Sequence, residues 1–332
     1  MGSRISQIEC YLPPKILNNK ELSREFPEWD AEKINEKIGI RQRHIAANDE
    51  TALDMGVTAA LKLFTGTDKN LIDFVLFCTQ SPDYFLPTGA CIIQEKLGLQ
   101  TNIGALDFNL GCSGFIYGLA LAKGLIEIKV ARNVLLITSE TYSKHINVRD
   151  KSCRSIFGDG AAATLVSNHE QTSIFDFIFG TDGKGMNNLI VMNGAFRNKY
   201  NNSENDIIEN GNFVKNNNNL FMNGPEIFNF TLEEVPLLVR NILVKNNIEI
   251  EDVDYFIFHQ ANKYMLDYLR KKLKIPQEKF YQDMELTGNT VSATIPIALK
   301  ECITRGIINN GNKVLLAGFG VGYSWGATII EI

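Results

Sequence analysis

The segment LIDFVLFC at residues 71–78 has a near-copy later in the chain, DVDYFIFH at residues 252–259. Both are apolar runs of strand length, which is typical of strands buried on both faces of a sheet. Two further pairs follow in the same order and at similar spacing: NVLLI at 133–137 with NKVLL at 312–316, and FGDGAAATLV at 157–166 with FGVGYSWGATII at 319–330. The chain is thus expected to consist of two similar halves.

Apolar runs between turn residues alternate with longer helical patterns, so we predict an α/β protein. The repeat divides the chain into residues 1–172 and residues 173–332, and we expect these α/β halves to pack about a pseudo-twofold axis. Any two α/β segments share apolar strands, but three matched pairs in one order make coincidence a poor explanation. Within the second half, residues 198–219 are rich in asparagine and lack periodicity, so we interpret them as a surface loop without a chemical role.

The composition argues against several classes of function. The 332 residues are 45% hydrophobic and carry a net charge of −5, which suits a large core and argues against nucleic acid or an anionic membrane as the main partner. No apolar run reaches the ~18 residues of a membrane span. Six cysteines without CxxC spacing indicate free thiols in a reducing, cytoplasmic compartment, and the four histidines form no metal-ligand cluster.

Cys112 is the candidate nucleophile. It lies in the turn GCSG at residues 111–114, between a predicted buried strand at 103–108 and an apolar helix pattern at 115–122. A helix that is apolar on every face is interior. The sulfur therefore lies at the start of a buried helix, where unpaired N–H groups and the helix dipole favour a thiolate. Such a cysteine suits covalent acyl catalysis, and the alternative is a small buried hydrophobic residue.

Two polar residues are expected beside the thiol. His259 ends the repeated strand of the second half, although a lone histidine at a strand end is more often structural. Asn289, in GNTVSAT at residues 288–294, begins a helix at the position that corresponds to the Cys112 turn in the repeat. A pseudo-twofold axis brings those two helix starts together, so we predict one site that contains Cys112, His259 and Asn289.

At these residues the chain resembles the β-ketoacyl-acyl-carrier-protein synthase III family, the initiating condensing enzymes of bacterial type II fatty acid synthesis. The likeness covers nearly the whole chain and rests on motifs in a common order: GIRQRH at 39–44, GCSG at 111–114, FGDGA at 157–161, HQAN at 259–262 and GNT at 288–290. Thiolases carry a second cysteine in place of Asn289, and the elongating synthases use two histidines. The resemblance implies a thiolase-like fold with five layers, αβαβα, and a homodimer.

The resemblance also implies a mechanism. Cys112 is acylated by a thioester donor, and the acyl group is extended by decarboxylative Claisen condensation with malonyl-acyl-carrier protein. Donors on His259 Nε2 and on the Asn289 amide stabilise the enolate that forms as carbon dioxide leaves, and the backbone N–H groups of Cys112 and Val321 bind the tetrahedral oxyanion. No cofactor is implied, because the acyl-CoA or acyl-carrier-protein thioester is a substrate.

Other residues receive roles only through this resemblance. Those implied in substrate binding are Leu86, Phe157, Met222, Asn262 and Phe319. Those implied in docking CoA or the acidic carrier protein are Lys37, Lys151, Lys263, Arg270, Lys271 and Lys272. For the cations that follow His259, an ordinary solvated helix face is the alternative.

The chain departs from the family pattern where CoA binds. Lys33 stands where many members have the tryptophan that stacks on the adenine, with Trp29 four residues before it, and Lys37 and Lys151 replace arginines. Lysine lacks arginine's planar guanidinium, which stacks on aromatic rings and binds a phosphate through two hydrogen bonds. A donor carried on acyl carrier protein is therefore an alternative to acyl-CoA.

Two departures fall nearer the nucleophile. Leu86 replaces an aromatic residue that often crosses the dimer interface and closes the partner's acyl pocket, so we expect longer or branched acyl chains to be accepted. Val321 replaces a glycine, and a valine is strained there if the turn requires a positive φ.

Two other functions fit parts of the pattern. An acyltransferase of the same fold keeps acyl-Cys112 but passes the acyl group to an oxygen or nitrogen acceptor without decarboxylation. That reaction has no use for an enolate stabiliser such as Asn289. A non-catalytic partner subunit has no use for a complete Cys-His-Asn set.

Overall fold

The computed structural model describes residues 2–332, in which helices and strands alternate through both halves. The elements up to residue 169 are β1 (Gly2–Tyr11), β2 (Lys15–Asn18), α1 (Asn19–Glu25), α2 (Ala31–Ile38), β3 (Gln42–Ile45), α3 (Ala52–Leu63), β4 (Phe74–Cys78), α4 (Gly89–Leu97), β5 (Gly104–Phe108), α5 (Gly114–Glu127), β6 (Asn133–Glu140), α6 (Lys151–Ile156) and β7 (Gly160–His169). Those from residue 174 onwards are β8 (Ile174–Thr181), β9 (Leu189–Val191), β10 (Ile207–Glu209), β11 (Asn212–Lys215), β12 (Leu220–Met222), α7 (Gly224–Asn246), β13 (Tyr255–Phe258), α8 (Lys263–Lys272), β14 (Phe280–Tyr281), α9 (Thr294–Thr304), β15 (Lys313–Gly320) and β16 (Ser324–Glu331). Among these helices, none is both long enough and apolar enough to cross a bilayer.

The two halves form five-stranded sheets with the same strand order. The first sheet runs β1-β7-β6-β4-β5 and the second, taken in the same direction, β8-β16-β15-β13-β14. β6, β4 and β5 pair in parallel in the first sheet, and β15, β13 and β14 do so in the second. The two remaining pairings of each sheet are antiparallel. The three repeated segments of the sequence become the equivalent pairs β4 and β13, β6 and β15, and β7 and β16. The predicted α/β repeat is therefore confirmed.

An aspartate before each repeated strand makes the same contact in both halves. Asp73 precedes β4, and its carboxylate accepts the backbone N–H groups of Arg132 and Asn133 at 2.7 and 2.9 Å, where β6 begins. Asp254 precedes β13 and accepts the N–H of Lys313 at 2.8 Å, where β15 begins. These charge-assisted bonds fix the start of one parallel strand against its neighbour.

Helices and sheets stack in five layers. α3 and α4 pack on the outer face of the first sheet around Leu53 and Ile93. α5 and α9 lie between the sheets, where Phe115 and Leu299 share one core with strands of both sheets. α7 and α8 cover the outer face of the second sheet around Leu266. The thiolase-like αβαβα architecture is therefore confirmed, with one interior helix from each half.

Residues 198–219 are more ordered than the sequence suggested. β10 and β11 form a hairpin whose turn places Asn210 and Gly211 at positive φ. Asp206 anchors the hairpin by accepting the side-chain N–H groups of Asn147 at 2.9 Å and Asn216 at 2.8 Å. The interpretation as a surface loop was wrong for Ile207–Glu209 and Asn212–Lys215, because such short strands held by amide side chains leave no apolar periodicity.

Candidate active site

Cys112 lies in the interface between the two halves. It stands two residues before α5, and only 6% of its surface is exposed. The end of β15 passes beside it: a Cβ atom on Gly320 would lie 2.8 Å from Cys112 Sγ, and one on Gly318 would lie 2.8 Å from the Cys112 carbonyl oxygen. Glycine at these two positions lets the second half approach the nucleophile closely.

The surroundings of Cys112 do not favour a resting thiolate. Burial raises the pKa of the Cys112 thiol to about 12 and the Glu140 carboxylate adds to the rise, whereas the backbone N–H groups of Cys112 and Val321 lower it. The expectation of a thiolate was wrong, because loss of water around the sulfur outweighs the two amide donors. The thiol therefore needs a base to accept its proton when it attacks.

This raised pKa predicts how alkylation depends on pH. Only the thiolate reacts with iodoacetamide, so the alkylation rate of Cys112 is expected to rise about tenfold per pH unit between about pH 7 and pH 9. Peptide mass spectrometry measures that rate separately from the rate of the exposed Cys91, which serves as the reference. A plateau below about pH 8 would show a low pKa and contradict the prediction.

His259 follows β13 directly and is 2% exposed. Burial lowers the pKa of its imidazole to about 3, so the ring is neutral at physiological pH. The ring edge meets Phe319, with 5.8 Å between the two centroids. A neutral imidazole has one donor and one acceptor nitrogen, and its neighbours set which is which.

The hydroxyl of Thr294 is the neighbour that sets the tautomer. Thr294 Oγ1 lies 2.8 Å from His259 Nδ1 and 3.0 Å from the Val291 carbonyl oxygen, and it has one proton to donate. When it donates to Val291, Nδ1–H donates to Oγ1 and Nε2 is a free acceptor. When it donates to Nδ1, Nε2 carries the proton and is a donor. The contact therefore supports both states of Nε2.

The carboxamide of Asn289 points toward His259. Asn289 Oδ1 accepts the backbone N–H of Val291 at 2.9 Å, which turns Nδ2 to within 3.4 Å of His259 Nε2. The first half positions this residue, because the Asn289 N–H donates to the Ile156 carbonyl at 2.9 Å and its carbonyl accepts from Gly158 at 3.0 Å. Two backbone hydrogen bonds between the halves thus hold Asn289 in the place where its amide faces the imidazole.

A cluster of apolar side chains joins these residues to Cys112. Its buried members are Cys112, Tyr142, Ile146, Cys153, Phe157, Leu189, Leu220 and Val291, and Met222 and Val321 pack against them. Phe157 and Met222, two of the predicted substrate-binding residues, therefore belong to the cluster that contains the thiol, and Phe319 lies against His259. The ring of Tyr142 packs on Phe157 at 5.2 Å, and its hydroxyl donates to Gln80 Oε1 at 2.6 Å.

The other two predicted substrate-binding residues lie outside this cluster. Leu86 is 80% exposed on a loop with the exposed Tyr84 and Phe85. Asn262 caps α8, and its Oδ1 accepts the N–H of Met265 at 2.9 Å. Leu86 therefore lies at the surface, away from the Cys112 cluster, and the Oδ1 atom of Asn262 serves to cap the helix.

Val321 is free of the strain considered for a valine at its position. The positive φ of this turn falls on the next residue, Gly322, at 132°. Ser324 fixes the turn: its Oγ donates to the Val321 carbonyl at 3.1 Å and lies 2.6 Å from Ser113 Oγ, beside the nucleophile. The N–H groups of Val321 and Cys112 both lower the pKa of the Cys112 thiol, so two backbone donors lie beside the sulfur.

The predicted CoA-docking lysines lie beside a surface groove of about 390 Å³ between α2 and α6, which Trp29, Lys37 and Ile156 help to line. Lys37 is exposed there. Lys151 Nζ lies 5.7 Å from the centre of the Trp29 ring, 2.7 Å from Glu28 Oε1 and 2.8 Å from Asn212 Oδ1 in β11. Trp29, which lies four residues before the position of the family's tryptophan, therefore still contacts a cation. That cation, Lys151, is already paired with the carboxylate of Glu28.

The predicted carrier-docking cations lie on α8. Lys263 pairs with Asp267 on the next turn, and Lys271 is exposed. Two others donate to backbone carbonyls: Arg270 to Ile275 at 3.2 Å and Lys272 to Leu232 at 2.6 Å.

The structure adds three residues that the sequence analysis did not identify. These are Tyr142 in the Cys112 cluster, Thr294 on His259, and Glu140, which is fully buried near the thiol. A carboxylate at the end of the apolar run NVLLITSE was the available signal for Glu140. Tyr142 and Thr294 carried no comparable signal, because their roles come from contacts with distant residues.

Comparison with known proteins agrees with this geometry. The family described as 3-oxoacyl-[acyl-carrier-protein (ACP)] synthase III matches residues 106–183, and its C-terminal part matches residues 243–332. Beta-ketoacyl-[acyl-carrier-protein] synthase III of Clostridium perfringens (strain ATCC 13124) is 39% identical over 329 residues, which cover 97% of each chain. The protein of that name from Lactococcus lactis subsp. cremoris (strain MG1363) is 34% identical over 335 residues, 99% of each chain.

Solved structures give the same result. A 3-oxoacyl-(acyl-carrier-protein) synthase III determined at 2.1 Å superposes with a TM-score of 0.97 at 47% identity, over 100% of both chains. The 3-oxoacyl-(acyl-carrier protein) synthase of Burkholderia xenovorans LB400 superposes with a TM-score of 0.92 at 34% identity, over 100% of this chain and 94% of the other. Full-length similarity at this identity shows common descent, and the chain therefore belongs to the β-ketoacyl-acyl-carrier-protein synthase III family of condensing enzymes.

Proposed function

We propose that this enzyme acylates Cys112 from a thioester donor and condenses the acyl group with malonyl-acyl-carrier protein as carbon dioxide leaves. The observation that carries the proposal is the buried pair of His259 Nε2 and Asn289 Nδ2, 3.4 Å apart, in the interface that holds the thiol. Two such groups can donate to one enolate oxygen. Transfer of the acyl group to an oxygen or nitrogen acceptor requires no enolate, so the pair favours condensation over that alternative.

The first step is attack of Cys112 Sγ on the carbonyl carbon of the donor. The thiol proton passes to His259 Nε2, which accepts it when Thr294 donates to Val291. The backbone N–H groups of Cys112 and Val321 stabilise the oxyanion. The donor carbon–sulfur bond then breaks, and the departing sulfur takes the proton from His259.

The second step uses the other state of His259. With the proton on Nε2, His259 and Asn289 donate to the thioester oxygen of the malonyl group. As the bond to the carboxylate breaks, its electrons form an enolate and carbon dioxide leaves. The enolate carbon attacks the acyl carbon, the bond to Cys112 Sγ breaks, and the departing thiolate takes a proton from water. A neutral imidazole suits this step, and burial keeps His259 neutral by lowering its pKa to about 3.

An acyl carrier protein is the favoured donor as well as the malonyl carrier. Ile156 both lines the groove at Trp29 and packs against the Cys112 cluster, so a pantetheine arm in this groove would lie next to the cluster that holds the thiol. Lys151 is occupied by Glu28 and Asn212, which leaves less free positive charge for the phosphates of CoA. The exposed Lys271 of α8 suits an acidic carrier protein.

A homodimer in a reducing, cytoplasmic compartment completes the proposal. β5 is an edge strand of the first sheet and exposes Leu106, and the nearby loop exposes Tyr84, Phe85 and Leu86. An unpaired edge strand with exposed apolar side chains suits pairing with a second copy. All six cysteines are free thiols, as a reducing compartment requires.

The chain length that the enzyme accepts is expected to depend on Leu86. A leucine that closes the partner's pocket leaves more room than an aromatic ring, so the wild type should use hexanoyl donors as well as acetyl donors. Leu86→Phe is expected to lower the hexanoyl rate about tenfold relative to the acetyl rate, measured as ketoacyl product. Leu71→Phe, at another exposed leucine, is the control, and strict acetyl preference of the wild type would contradict the prediction.

The test of the proposed function follows both half-reactions. Intact-mass spectrometry detects the acyl adduct on Cys112 after exposure to acetyl-CoA or to acetyl carrier protein. Malonyl carrier protein is then added, and carbon dioxide and ketoacyl product are measured. Release of both supports condensation, whereas an adduct that passes to another acceptor without carbon dioxide supports the alternative acyltransferase. If the protein forms no acyl adduct and releases no carbon dioxide, it is a non-catalytic subunit.

A further inference from the structure

Glu140 is a buried carboxylate that the proposed mechanism does not use. It ends β6 and has no exposed surface. Its side chain accepts the backbone N–H of Gln80 at 3.0 Å and the hydroxyls of Ser81 at 3.2 Å and Ser292 at 2.9 Å. Burial raises the pKa of Glu140 to about 8, and these donors oppose the rise. A carboxylate is costly in this position, so its contacts call for an explanation.

The contact with Ser292 crosses between the halves of the chain at the active site. Ser292 belongs to the short 3₁₀ turn Val291–Ala293, which comes directly after Asn289 and Thr290. Val291 is fully buried and has a φ of 56°, a left-handed conformation that a β-branched residue avoids. Such a strained residue persists only where its surroundings hold it.

The strained turn determines the direction of the Asn289 carboxamide. The Val291 N–H donates to Asn289 Oδ1 at 2.9 Å, and this hydrogen bond keeps Nδ2 directed toward His259. The Val291 carbonyl also accepts the Thr294 hydroxyl that contacts His259. If Val291 relaxed to a negative φ, its N–H would turn away from Asn289 Oδ1, whereas its carbonyl would stay held by the hydroxyl and the backbone N–H of Thr294.

We propose that Glu140 is a positioning residue for the condensation step: through Ser292 it holds the strained turn at Val291 and so keeps the Asn289 amide directed at the enolate. This inference rests on the proposed function, because the direction of the amide matters only if an enolate forms. The charge of Glu140 gives no advantage in acylation, since it raises the pKa of Cys112. The benefit of the carboxylate therefore lies in the second step.

Ser292→Ala tests the proposal by removing one hydroxyl. We expect carbon dioxide release from malonyl carrier protein to slow about tenfold, which corresponds to one hydrogen bond. Acylation of Cys112 by acetyl carrier protein is expected to stay within about twofold, and KM for malonyl carrier protein to stay unchanged, because no docking residue is altered. Ser139→Ala is the matched control: Ser139 is as buried as Ser292, and its hydroxyl donates to the Ala52 carbonyl at 2.7 Å.

A double-mutant cycle separates positioning from general support of the fold. If Ser292 acts through Asn289, Ser292→Ala has no further effect on carbon dioxide release in an Asn289→Ala background. Additive effects, or equal slowing of both half-reactions, would overturn the proposal. Normal carbon dioxide release by Asn289→Ala alone would overturn the proposed function itself, whereas a slow Asn289→Ala with a normal Ser292→Ala overturns only the role of Glu140.

Glu140→Gln supplies an independent measurement. This change keeps the size of the side chain, and both enzymes are compared at about pH 9, above the pKa of Glu140 of about 8, where the carboxylate of the wild type is charged. We expect carbon dioxide release to slow as it does in Ser292→Ala, and iodoacetamide to alkylate Cys112 faster, because the nearby negative charge is gone. Unchanged carbon dioxide release together with faster alkylation would show that Glu140 acts only on the thiol and would overturn the proposal.

Discussion

Replacement of Cys112 by serine is expected to abolish the acyl-enzyme and, with it, ketoacyl product. The site already raises the pKa of the thiol to about 12, and the alkoxide of serine is a stronger base that the same burial disfavours further. His259, whose pKa burial lowers to about 3, is too weak a base to deprotonate an alcohol efficiently. Intact-mass spectrometry after exposure to acetyl-CoA or acetyl carrier protein measures the adduct.

Cys153→Ser is the matched control for this change, because Cys153 is a buried cysteine of the same cluster. It is expected to keep both acylation and condensation. Cys112→Ser should still release carbon dioxide from malonyl carrier protein, since the enolate donors on His259 and Asn289 are intact. A Cys112→Ser enzyme that accepts acyl chains and makes ketoacyl product at the normal rate would refute the assignment of the nucleophile.

Replacement of His259 by alanine is expected to slow carbon dioxide release by about 10²–10³-fold, the usual cost of losing one donor to a developing oxyanion. It is also expected to slow acylation of Cys112, because His259 Nε2 accepts the thiol proton in the first step. Both half-reactions are measured with one preparation, by intact mass and by carbon dioxide release. The residual rate reports what Asn289 and the backbone donors contribute without the imidazole.

Asn289→Ala is the comparison that separates the two roles of His259. The amide donates only to the enolate, so this variant should slow carbon dioxide release to a similar extent and leave acylation unchanged. If His259→Ala acylates Cys112 at the wild-type rate, another group takes the thiol proton and the first step of the mechanism is wrong. If neither variant affects carbon dioxide release, no enolate is stabilised at this pair.

The fold was predictable because three of its strand segments occur in two similar copies in the sequence. The apolar runs at 71–78 and 252–259 became equivalent strands, and even their aspartates make equivalent bonds to the next strand. A repeat constrains topology more strongly than local propensity does, since each half must satisfy the same sheet order. The asparagine-rich segment had no such copy, and there the prediction failed: its hairpin depends on amide contacts with residues 145–151.

The site was predictable as residue types and less so as chemistry. The repeat placed Cys112 and Asn289 at equivalent helix starts, with His259 at a strand end, and the structure brings all three into the interface between the sheets. The protonation of the thiol was predicted in the wrong direction, because a helix start is visible in the sequence and the depth of burial is not. Leu86 remains a prediction, since its contact requires a second chain.

Chain order and residue type determined the duplicated α/β architecture and predicted the nucleophile and its polar partners, because apolar periodicity and turn residues act locally. Packing of the two halves established the rest: the raised pKa of Cys112, the neutral state of His259, the direction of the Asn289 amide and the place of Glu140. Each of these depends on groups that lie far apart in the chain, Glu140 and Ser292 among them. Water exclusion and hydrogen-bond direction arise only when such groups meet.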